Sequence, residues 1–267
     1  MGNNYFQKTV LTMKFISEGA KTILKDYYFT SPLKILPAIP AEHEFTRVMI
    51  LSSSGGIMAG DTQEHTIEIG ENCKVEITSQ SYEKIHKMME GKATRVSNIT
   101  VGAGATLNYN PQPTIPYAKS AFDNTTNIHL ADDSSKLVYT EVLSAGRVHH
   151  GEKFGYTFYK TLTNVYKGED LIYCDNTFYD PKLLNMEGYG LYEGYTHLSN
   201  IFIANFGDAK AIMKSIRNIL AESNEDIDFG VSVTESDDVV VRIFGYEGNT
   251  LELLNKKIFD SLYAEQQ

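Results

Sequence analysis

The clearest pattern along the chain is a two-strand unit that recurs about every 30 residues. Its copies span 67–77, 99–109 and 128–139, and their starts lie 32 and 29 residues apart. In each copy apolar and polar residues alternate, a turn such as Gly70–Asn72 follows, and the alternation then resumes. Alternation with period two on both sides of a Gly- or Asp-rich turn predicts pairs of half-buried strands.

Weaker copies of the unit flank these three. One combines Met13–Phe15 with Ile23–Leu24, and the other runs from Val165 through Gly168 to Tyr173. A unit of about 30 residues cannot bury its apolar face alone, so neighbouring copies must stack. The pattern predicts a mainly β protein with a β-helical, solenoid-like layered body over residues 10–180. A β-sandwich that contains similar hairpins is the alternative.

The C-terminal third changes from strand to mixed periodicity. A strand over Asn200–Phe206 and a hairpin around Glu235–Asp237 accompany two predicted α-helices. Asp208 can cap the first helix, and Asn249 or Thr250 can cap the second. Their buried faces are predicted from aliphatic residues at helical spacing: Ile212, Ile216, Ile219 and Leu220, then Leu251, Leu254, Ile258 and Leu262.

Composition and charge narrow the class of protein. The chain has 267 residues, 42% hydrophobic and 22% charged, and no long polar linker, so we expect one domain over residues 1–267. A net charge of −10 disfavours nucleic acid and anionic membranes as partners. Cys73 and Cys174 form no CxxC pair, and neither a secretory signal nor a long apolar run is present. These features predict a cytoplasmic protein with free thiols.

The densest glycine cluster is Ser54–Asp61. A strand pattern rather than a helix follows it, and it lacks the lysine of a phosphate-binding loop, so nucleotide binding is not expected. The cluster predicts a tight loop in which glycines adopt positive φ. Asp61 then either caps backbone N–H groups or places its carboxylate where a cation passes.

Two further segments are chemically suggestive. Thr78–His86 contains Glu83, Lys84 and His86, which form either an ion-pair cluster, a weak metal site or a solvated loop. Asn110–Tyr117 contains three of the seven prolines and predicts a rigid extended segment, suited to a corner between β layers or to a partner.

The segment Glu141–Glu152 carries the densest charges. Arg147 can hold Glu141 or Glu152 in a bidentate pair. His149 and His150 are adjacent, so in an extended chain they point to opposite faces and do not chelate one ion together. The chain contains neither HExxH nor GxSxG, and we expect no catalysis. A β-solenoid enzyme acting on carbohydrate remains the alternative.

Four segments together resemble a known family. Gly55–Asp61, Thr78–His86, Pro111–Tyr117 and Glu141–Glu152 occur in the order found in the urease accessory protein UreD, called UreH in some bacteria. The likeness runs through most of the first 180 residues. The segments at Asp180-Pro181 and at 194–197 are similar to the UreH branch.

The resemblance implies a β-helical body with two helices. It also implies that the protein has no catalytic residues and no permanently bound cofactor. It implies a scaffold that binds apo-urease, the accessory protein UreF and, through UreF, the GTPase UreG, in a 2:2 assembly through UreF. This assembly delivers nickel to the urease active site. The motif residues with structural roles are Gly55, Gly56, Gly60, Gly146, Arg147 and Gly151.

A protein that passes on nickel should not trap it. Clusters of thiolates and imidazoles bind Ni²⁺ tightly, whereas carboxylates bind it weakly and exchange readily. The chain offers many carboxylates but only scattered histidines. We therefore hypothesise a transient nickel path lined or flanked by Asp61, Glu64, Glu141, Glu152 and Asp175. A pure protein–protein scaffold, with the ion carried elsewhere, is the alternative.

Overall fold

The computed structural model of the protein describes residues 8–264. The strands of the first two thirds are β1 Thr9–Glu18, β2 Lys21–Phe29, β3 Leu33–Ile35, β4 Ile39–Pro40, β5 Thr46–Ser52, β6 Thr62–Ile69, β7 Lys74–Ser79, β8 Glu83–Ile85, β9 Ala93–Val101, β10 Thr106–Tyr109, β11 Thr114–Pro116, β12 Ala121–Leu130, β13 Lys136–Ser144, β14 Phe158–Lys167 and β15 Asp170–Tyr179. The C-terminal third adds β16 His197–Ala204, α1 Ala209–Ala221, β17 Asp228–Val233, β18 Val239–Gly245 and α2 Gly248–Ala264. The protein is mainly β with two C-terminal α-helices, as predicted.

Seven strands form the first sheet, sheet 1, in the order β15-β14-β12-β9-β6-β1-β2. The five inner strands are parallel to one another. Their register aligns the first strands of successive copies, so that Met13, Ile67, Ile99, Ile128 and Val165 lie side by side. These residues share one buried face because side chains in a strand alternate between the two faces of the sheet.

The second sheet, sheet 2, receives the second strand of each clear copy. Its main order is β17-β18-β16-β13-β10-β7-β5-β3, and β5, β7, β10 and β13 are parallel. Val75, Leu107 and Leu137 lie side by side in it. They pack against the aligned row of sheet 1 in one hydrophobic core cluster. Each predicted turn therefore carries the chain from one sheet to the other.

The weaker end copies are only half correct. Met13 and Val165 lie in register with the stack, as expected. Ile23-Leu24 and Leu171–Tyr173, however, belong to β2 and β15, which fold back antiparallel in sheet 1 instead of crossing to sheet 2. A hairpin and a crossover have the same alternation, so periodicity alone did not distinguish them.

The C-terminal elements extend sheet 2 and cover its outer face. β16 pairs with β13, and β17 and β18 form the predicted hairpin. The Asp208 carboxylate accepts hydrogen bonds from the backbone N–H groups of Lys210 and Ala211 at 2.9 and 3.2 Å, so the first predicted cap is confirmed. The second is wrong: α2 begins at Gly248, and Asn249 and Thr250 lie in its first turn.

The predicted aliphatic faces of both helices are directed towards sheet 2. Ile216 and Leu220 of α1 and Leu251, Leu254 and Ile258 of α2 are buried in a second hydrophobic cluster. The sheet contributes the buried side chains of β13, β16, β17 and β18 to the same cluster. The helices thus form a layer on the side of sheet 2 that faces away from sheet 1.

Two findings concern the sequence-based expectations about compartment. Cys73 is buried and Cys174 is exposed, and both are free thiols, as predicted. Within residues 8–264, no helix has the length and the apolar character needed to cross a membrane. The cytoplasmic location stays a prediction.

Candidate functional site

The inner face of sheet 1 changes from apolar to polar along its strands. Two residues before the aligned isoleucines, the next inward row is His65, Ser97, Thr126 and Thr163. One row further, the inward positions are Gln63, Arg95, Asn124 and Thr161. Most of these polar side chains are buried. Polar residues that are 29 to 37 positions apart in sequence thus lie side by side in continuous rows, because the strands pair in parallel and in register.

Sheet 2 shows the same change on the opposite wall. Beyond its aliphatic row lie Ile77, Tyr109 and Tyr139 in register, and two residues after Tyr139 is Glu141. The rings of Tyr109 and Tyr139 stack with centroids 5.6 Å apart. The Thr163 hydroxyl donates to the Tyr139 hydroxyl at 3.4 Å, which connects the two walls.

The polar rows enclose a chamber of about 180 Å³ between the sheets. Its lining includes the tyrosines of sheet 2, Tyr159 and most of the two polar rows of sheet 1, namely Gln63, His65, Arg95, Ser97, Asn124 and Thr126. A cavity that holds a water needs roughly 10–15 Å³ and several polar partners, so this one has room for several waters. Among residues 8–264, His65 and the Asn124 carbonyl oxygen have no hydrogen-bond partner, which is consistent with a wet interior.

Arg95 places a fixed positive charge in the chamber. Its guanidinium forms a bidentate ion pair with Glu83, with one Nη1–Oε2 bond of 2.8 Å. Its Nε donates to the Gln63 side-chain oxygen at 2.9 Å. The guanidinium also lies over the Phe122 ring, 5.5 Å from the centroid. Three hydrogen bonds, to the side chains of Glu83 and Gln63, and one aromatic ring therefore fix the position of this cation.

Glu141 is the carboxylate deep in the chamber. It accepts a hydrogen bond from the Tyr159 hydroxyl at 2.9 Å and a long one, 3.5 Å, from Thr161 Oγ1. Burial above all, with the negative charge of Asp175, raises the pKa of Glu141 to about 7 against the opposing hydrogen bond from Tyr159. Glu141 therefore changes charge near neutral pH, and Arg147 is not its partner.

The glycine cluster forms the rim of the chamber. Gly56 has φ +141°, and a Cβ there would clash with the carbonyl oxygen of Lys84, so only glycine fits. The Asp61 carboxylate accepts a hydrogen bond from the backbone N–H of Met58 at 2.8 Å. Asp61 also lines the chamber. Backbone capping is thus confirmed, and the passage of a cation at Asp61 stays a prediction.

The four segments that carry the family resemblance converge at this end of the molecule. Ile57 pairs with Ile85 in β8, β8 pairs with β11, and Thr114 of β11 pairs with Leu143 of β13. All four segments contribute residues to the chamber lining. Their order along the chain is therefore the order of neighbouring strands around one opening.

Helix α2 is linked to this opening. Glu252 accepts hydrogen bonds from the Tyr82 hydroxyl at 2.9 Å and from the side-chain amide of Gln112. Tyr82 and Gln112 both line the chamber. Burial, with Glu252 adding to it, raises the pKa of Tyr82 to about 12. The opening and the C-terminal helix are therefore held to each other by a hydrogen-bond network.

The segment after β13 forms a separate surface cluster. Arg147 pairs with Glu152, with Nε to Oε2 at 2.8 Å, and this pairing lowers the pKa of Glu152. The guanidinium lies over the Tyr117 ring, 4.4 Å from its centroid. Gly146 has φ +142°, and a Cβ there would be 2.8 Å from the Glu152 carbonyl oxygen. Of the two predicted partners of Arg147, Glu152 is the one observed, and its side chain does not line the chamber.

The other predicted path residues lie outside the chamber. Glu64 points away from the core and forms an ion pair with Lys8 in which both side chains are about half exposed. Asp175 on β15 accepts from Arg242 Nη2 at 3.1 Å and from Thr177 Oγ1 at 2.8 Å. Asp175 and Arg242 border an open cleft of about 490 Å³ between β15 and β17. Of the five predicted carboxylates, two therefore line the chamber, one borders a second cleft and two lie elsewhere on the surface: Asp61 and Glu141, then Asp175, then Glu64 and Glu152.

The remaining motif residues contribute no metal cluster. His86 Nε2 lies 2.8 Å from the Gly55 carbonyl oxygen, and Glu83 is bound to Arg95, so the predicted grouping of Glu83, Lys84 and His86 is not formed. Gly60 and Gly151 adopt positive φ, as expected for tight turns. Across the described part of the chain, no three His, Cys, Asp or Glu side chains are placed to hold a metal ion together.

Sequence reasoning missed the residues that make the chamber polar, above all His65 and Arg95. The signal was present: Gln63 and His65 occupy inward positions of a strand whose later inward positions are Ile67 and Ile69. Polar residues at inward positions require partners or water. A comparison of inward positions across the aligned copies would have located the chamber.

The chain matches known proteins over nearly its full length. The sequence model of the family described as UreD urease accessory protein matches residues 7–265. A urease accessory protein UreD of Acetivibrio thermocellus is 36% identical over 98% of this chain and 100% of its own length. A urease accessory protein UreH of Helicobacter pylori is 35% identical over 96% of this chain and 95% of its own. The UreD of Flavobacterium johnsoniae is 30% identical, covering 92% and 89%. This chain therefore belongs to the UreD/UreH family of urease accessory proteins.

Proposed function

We propose that this accessory protein delivers nickel to apo-urease as part of a complex, and that the polar chamber is a section of the nickel path. The observation that carries the proposal is a polar chamber lined by carboxylates, among them Asp61 at its rim and Glu141 inside. A divalent ion can exchange between such oxygen ligands without being trapped. Asp175 borders a second cleft, and its negative charge is close enough to raise the pKa of Glu141.

The proposed partners follow from the family. We propose that the chain binds UreF and apo-urease, that UreG joins through UreF, and that UreF mediates a 2:2 assembly. The relatives are named as urease accessory proteins, which supports a role with urease. The protein acts in the cytoplasm in this proposal, and nickel is its cargo rather than a resident cofactor.

We also infer that the body is a solenoid-like, β-helical stack. The chain alternates between the sheets from β6 to β14, and equivalent strands pair in parallel and in register. A sandwich of hairpins would instead pair the two strands of each copy with each other. The parallel rows are what keep like residues together along the chamber.

We propose no catalytic role. The chamber contains aromatic rings and three carboxylates, Asp61, Glu83 and Glu141, but Glu83 is bound by both terminal nitrogens of Arg95. The volume of about 180 Å³ is also below the range of roughly 300–1,000 Å³ typical of ligand pockets. Neither property favours a sugar-cleaving site.

The path is tested by removing chamber carboxylates one at a time. Asp61→Asn and Glu141→Gln keep the hydrogen-bond acceptors towards Met58 and Tyr159 while removing the charge. Each variant is co-expressed with UreF, UreG and apo-urease, and the nickel content of the purified urease is measured. We expect a lower nickel content with unchanged UreF stoichiometry.

Glu64→Gln is the matched control, because Glu64 lies on the same strand region but faces away from the chamber. It is expected to load nickel like the unmodified protein. Unchanged nickel content in both chamber variants would instead favour a pure scaffold, with the ion carried by another component.

A further inference from the structure

His65 is a buried histidine with an unusual environment. It lies on β6, faces inwards and is only 4% exposed. Its neighbours in register are Leu11 on one side and Ser97 on the other. The side chain lines the chamber together with Glu141 and Arg95.

Both ring nitrogens of His65 lack a hydrogen-bond partner within residues 8–264. The other buried histidine, His197, differs: its Nδ1 lies 2.9 Å from the Thr196 hydroxyl. Leaving a buried polar group unpaired destabilises a protein, so such a group persists where it serves a ligand or water. The chamber provides the space for either.

His65 is held in the neutral form. Burial, with the positive charge of Arg95 adding to it, lowers the pKa of the His65 imidazole to about 3. A neutral imidazole has one nitrogen with a free lone pair, which is the form that binds transition metals. The ring is therefore ready to coordinate a metal ion without first releasing a proton.

Carboxylates and hydroxyls alone would not select nickel. They are hard oxygen ligands that also suit Mg²⁺. Imidazole suits Ni²⁺ and is a poor ligand for Mg²⁺. One nitrogen donor in an oxygen-lined passage would favour nickel, while a single donor would hold the ion too weakly to trap it.

We propose that His65 is the nitrogen donor of the chamber, which binds Ni²⁺ transiently and gives the passage its preference for nickel over magnesium. The inference rests on the nickel path proposed above. In the binding step one water of hydrated Ni²⁺ is replaced by a ring nitrogen, and no proton or electron is transferred. In this proposal, water and oxygen atoms of the chamber occupy the other coordination positions of the ion.

The test uses the full-length chain co-purified with UreF. Nickel-edge X-ray absorption with Ni²⁺ and excess Mg²⁺ reports imidazole ligation, and isothermal titration measures each metal. His65→Gln and His65→Leu remove the donor, and His129→Gln is the control, since His129 is exposed and stacks on Tyr166. Loss of an outer partner of a ligand costs 10- to 100-fold in metal affinity, so loss of the donor should weaken Ni²⁺ binding by at least about tenfold.

We expect the imidazole signal to disappear in both His65 variants and to persist in His129→Gln, with Mg²⁺ binding unchanged throughout. His65→Leu removes an unpaired polar ring, so its melting temperature should be no lower than that of the unmodified protein. This measurement separates loss of metal binding from loss of fold.

Two results would overturn the inference, and they differ in meaning. If imidazole ligation and Ni²⁺ affinity are unchanged in both His65 variants while Glu141→Gln still lowers nickel loading of urease, the path stands and His65 is not its donor. If the Asp61, Glu141 and His65 variants all load nickel normally, the path itself is wrong and the role of His65 fails with it.

Discussion

The space between the two sheets has an apolar half and a polar half, although the same strands form both. In the apolar half, the row that contains Ile67 and Ile99 packs against the row of Val75, Leu107 and Leu137. In the polar half, the corresponding positions of sheet 1 are occupied by residues such as Arg95 and enclose a chamber. Backbone pairing and register are identical in the two halves.

The difference shows how a repeated fold can separate stability from function. Parallel pairing requires only alternation, so either half can carry apolar or polar residues without a change of backbone. The apolar half gains stability from burial, roughly 25 cal/mol per Å² of apolar surface. The polar half gives up that gain and acquires partly buried charged groups, among them the ion pair of Arg95 and Glu83.

The largest expected effect tests the apolar half. Ile99 is fully buried, and Ile99→Ala should lower the free energy of unfolding by about 4 kcal/mol, because it removes buried methyl groups and leaves a cavity. Urea denaturation monitored by circular dichroism measures the change. Val96→Ala, on the same strand but exposed, should stay within about 0.5 kcal/mol. A similar cost at both positions would contradict the assignment of the stabilising core.

The second prediction tests the ion pair of the polar half. Arg95→Met leaves the Glu83 carboxylate without its partner in a poorly solvated site, and we expect a loss of about 3 kcal/mol. The same denaturation assay applies. Arg147→Met breaks the more exposed pair with Glu152 and should cost clearly less than Arg95→Met. Equal losses would mean that the chamber is as well solvated as the surface.

The third and smallest effect is a dependence on pH. The pKa of Glu141 in the folded protein is raised from 4.5 to about 7, so the folded state binds this proton more tightly than the unfolded state. The resulting stabilisation is complete below about pH 4.5 and is lost as pH rises through about 7. Glu141→Gln should therefore gain stability relative to the unmodified protein between pH 5 and pH 8, by at most about 3 kcal/mol.

Denaturation curves at several pH values in that interval test this prediction, with Glu64→Gln as the control. Glu64 is about half exposed, and its replacement should give a difference that does not change with pH. If the difference in free energy of unfolding between Glu141→Gln and the unmodified protein also did not change with pH, Glu141 would be ionised at all of these pH values.

The sequence predicted the class of fold because its signal is local. The alternation at Ile67–Ile69 or Ile128–Leu130 does not depend on distant contacts, and copies at a nearly constant spacing imply stacking. The ends of the stack were predicted less well. Whether β2 and β15 cross to sheet 2 or fold back depends on which partner strands remain available, and that is a property of the whole fold.

The sequence predicted the motifs of the candidate site but not their location in the fold. Asp61 and Glu141 were identified, yet 80 residues separate them in sequence, and only parallel stacking brings their strands to the same opening. Glu64 was grouped with them because it is close to Asp61 in sequence, although it points outwards. His65, its immediate neighbour, points inwards. The identity of the inward-facing residue was therefore a better guide to the chamber than the number of charged residues in the segment.

The folded-back strands β2 and β15 have a consequence for assembly. A stack of equivalent layers has no intrinsic length, since each parallel edge can accept another layer. Here both ends of sheet 1 reverse direction, and the outermost strand β2 carries Lys21, Lys25 and Asp26. The chain therefore determines its own number of layers. A second molecule that approaches sheet 1 meets a charged antiparallel edge strand, whereas growth of a fibre would require a parallel edge equivalent to the inner strands.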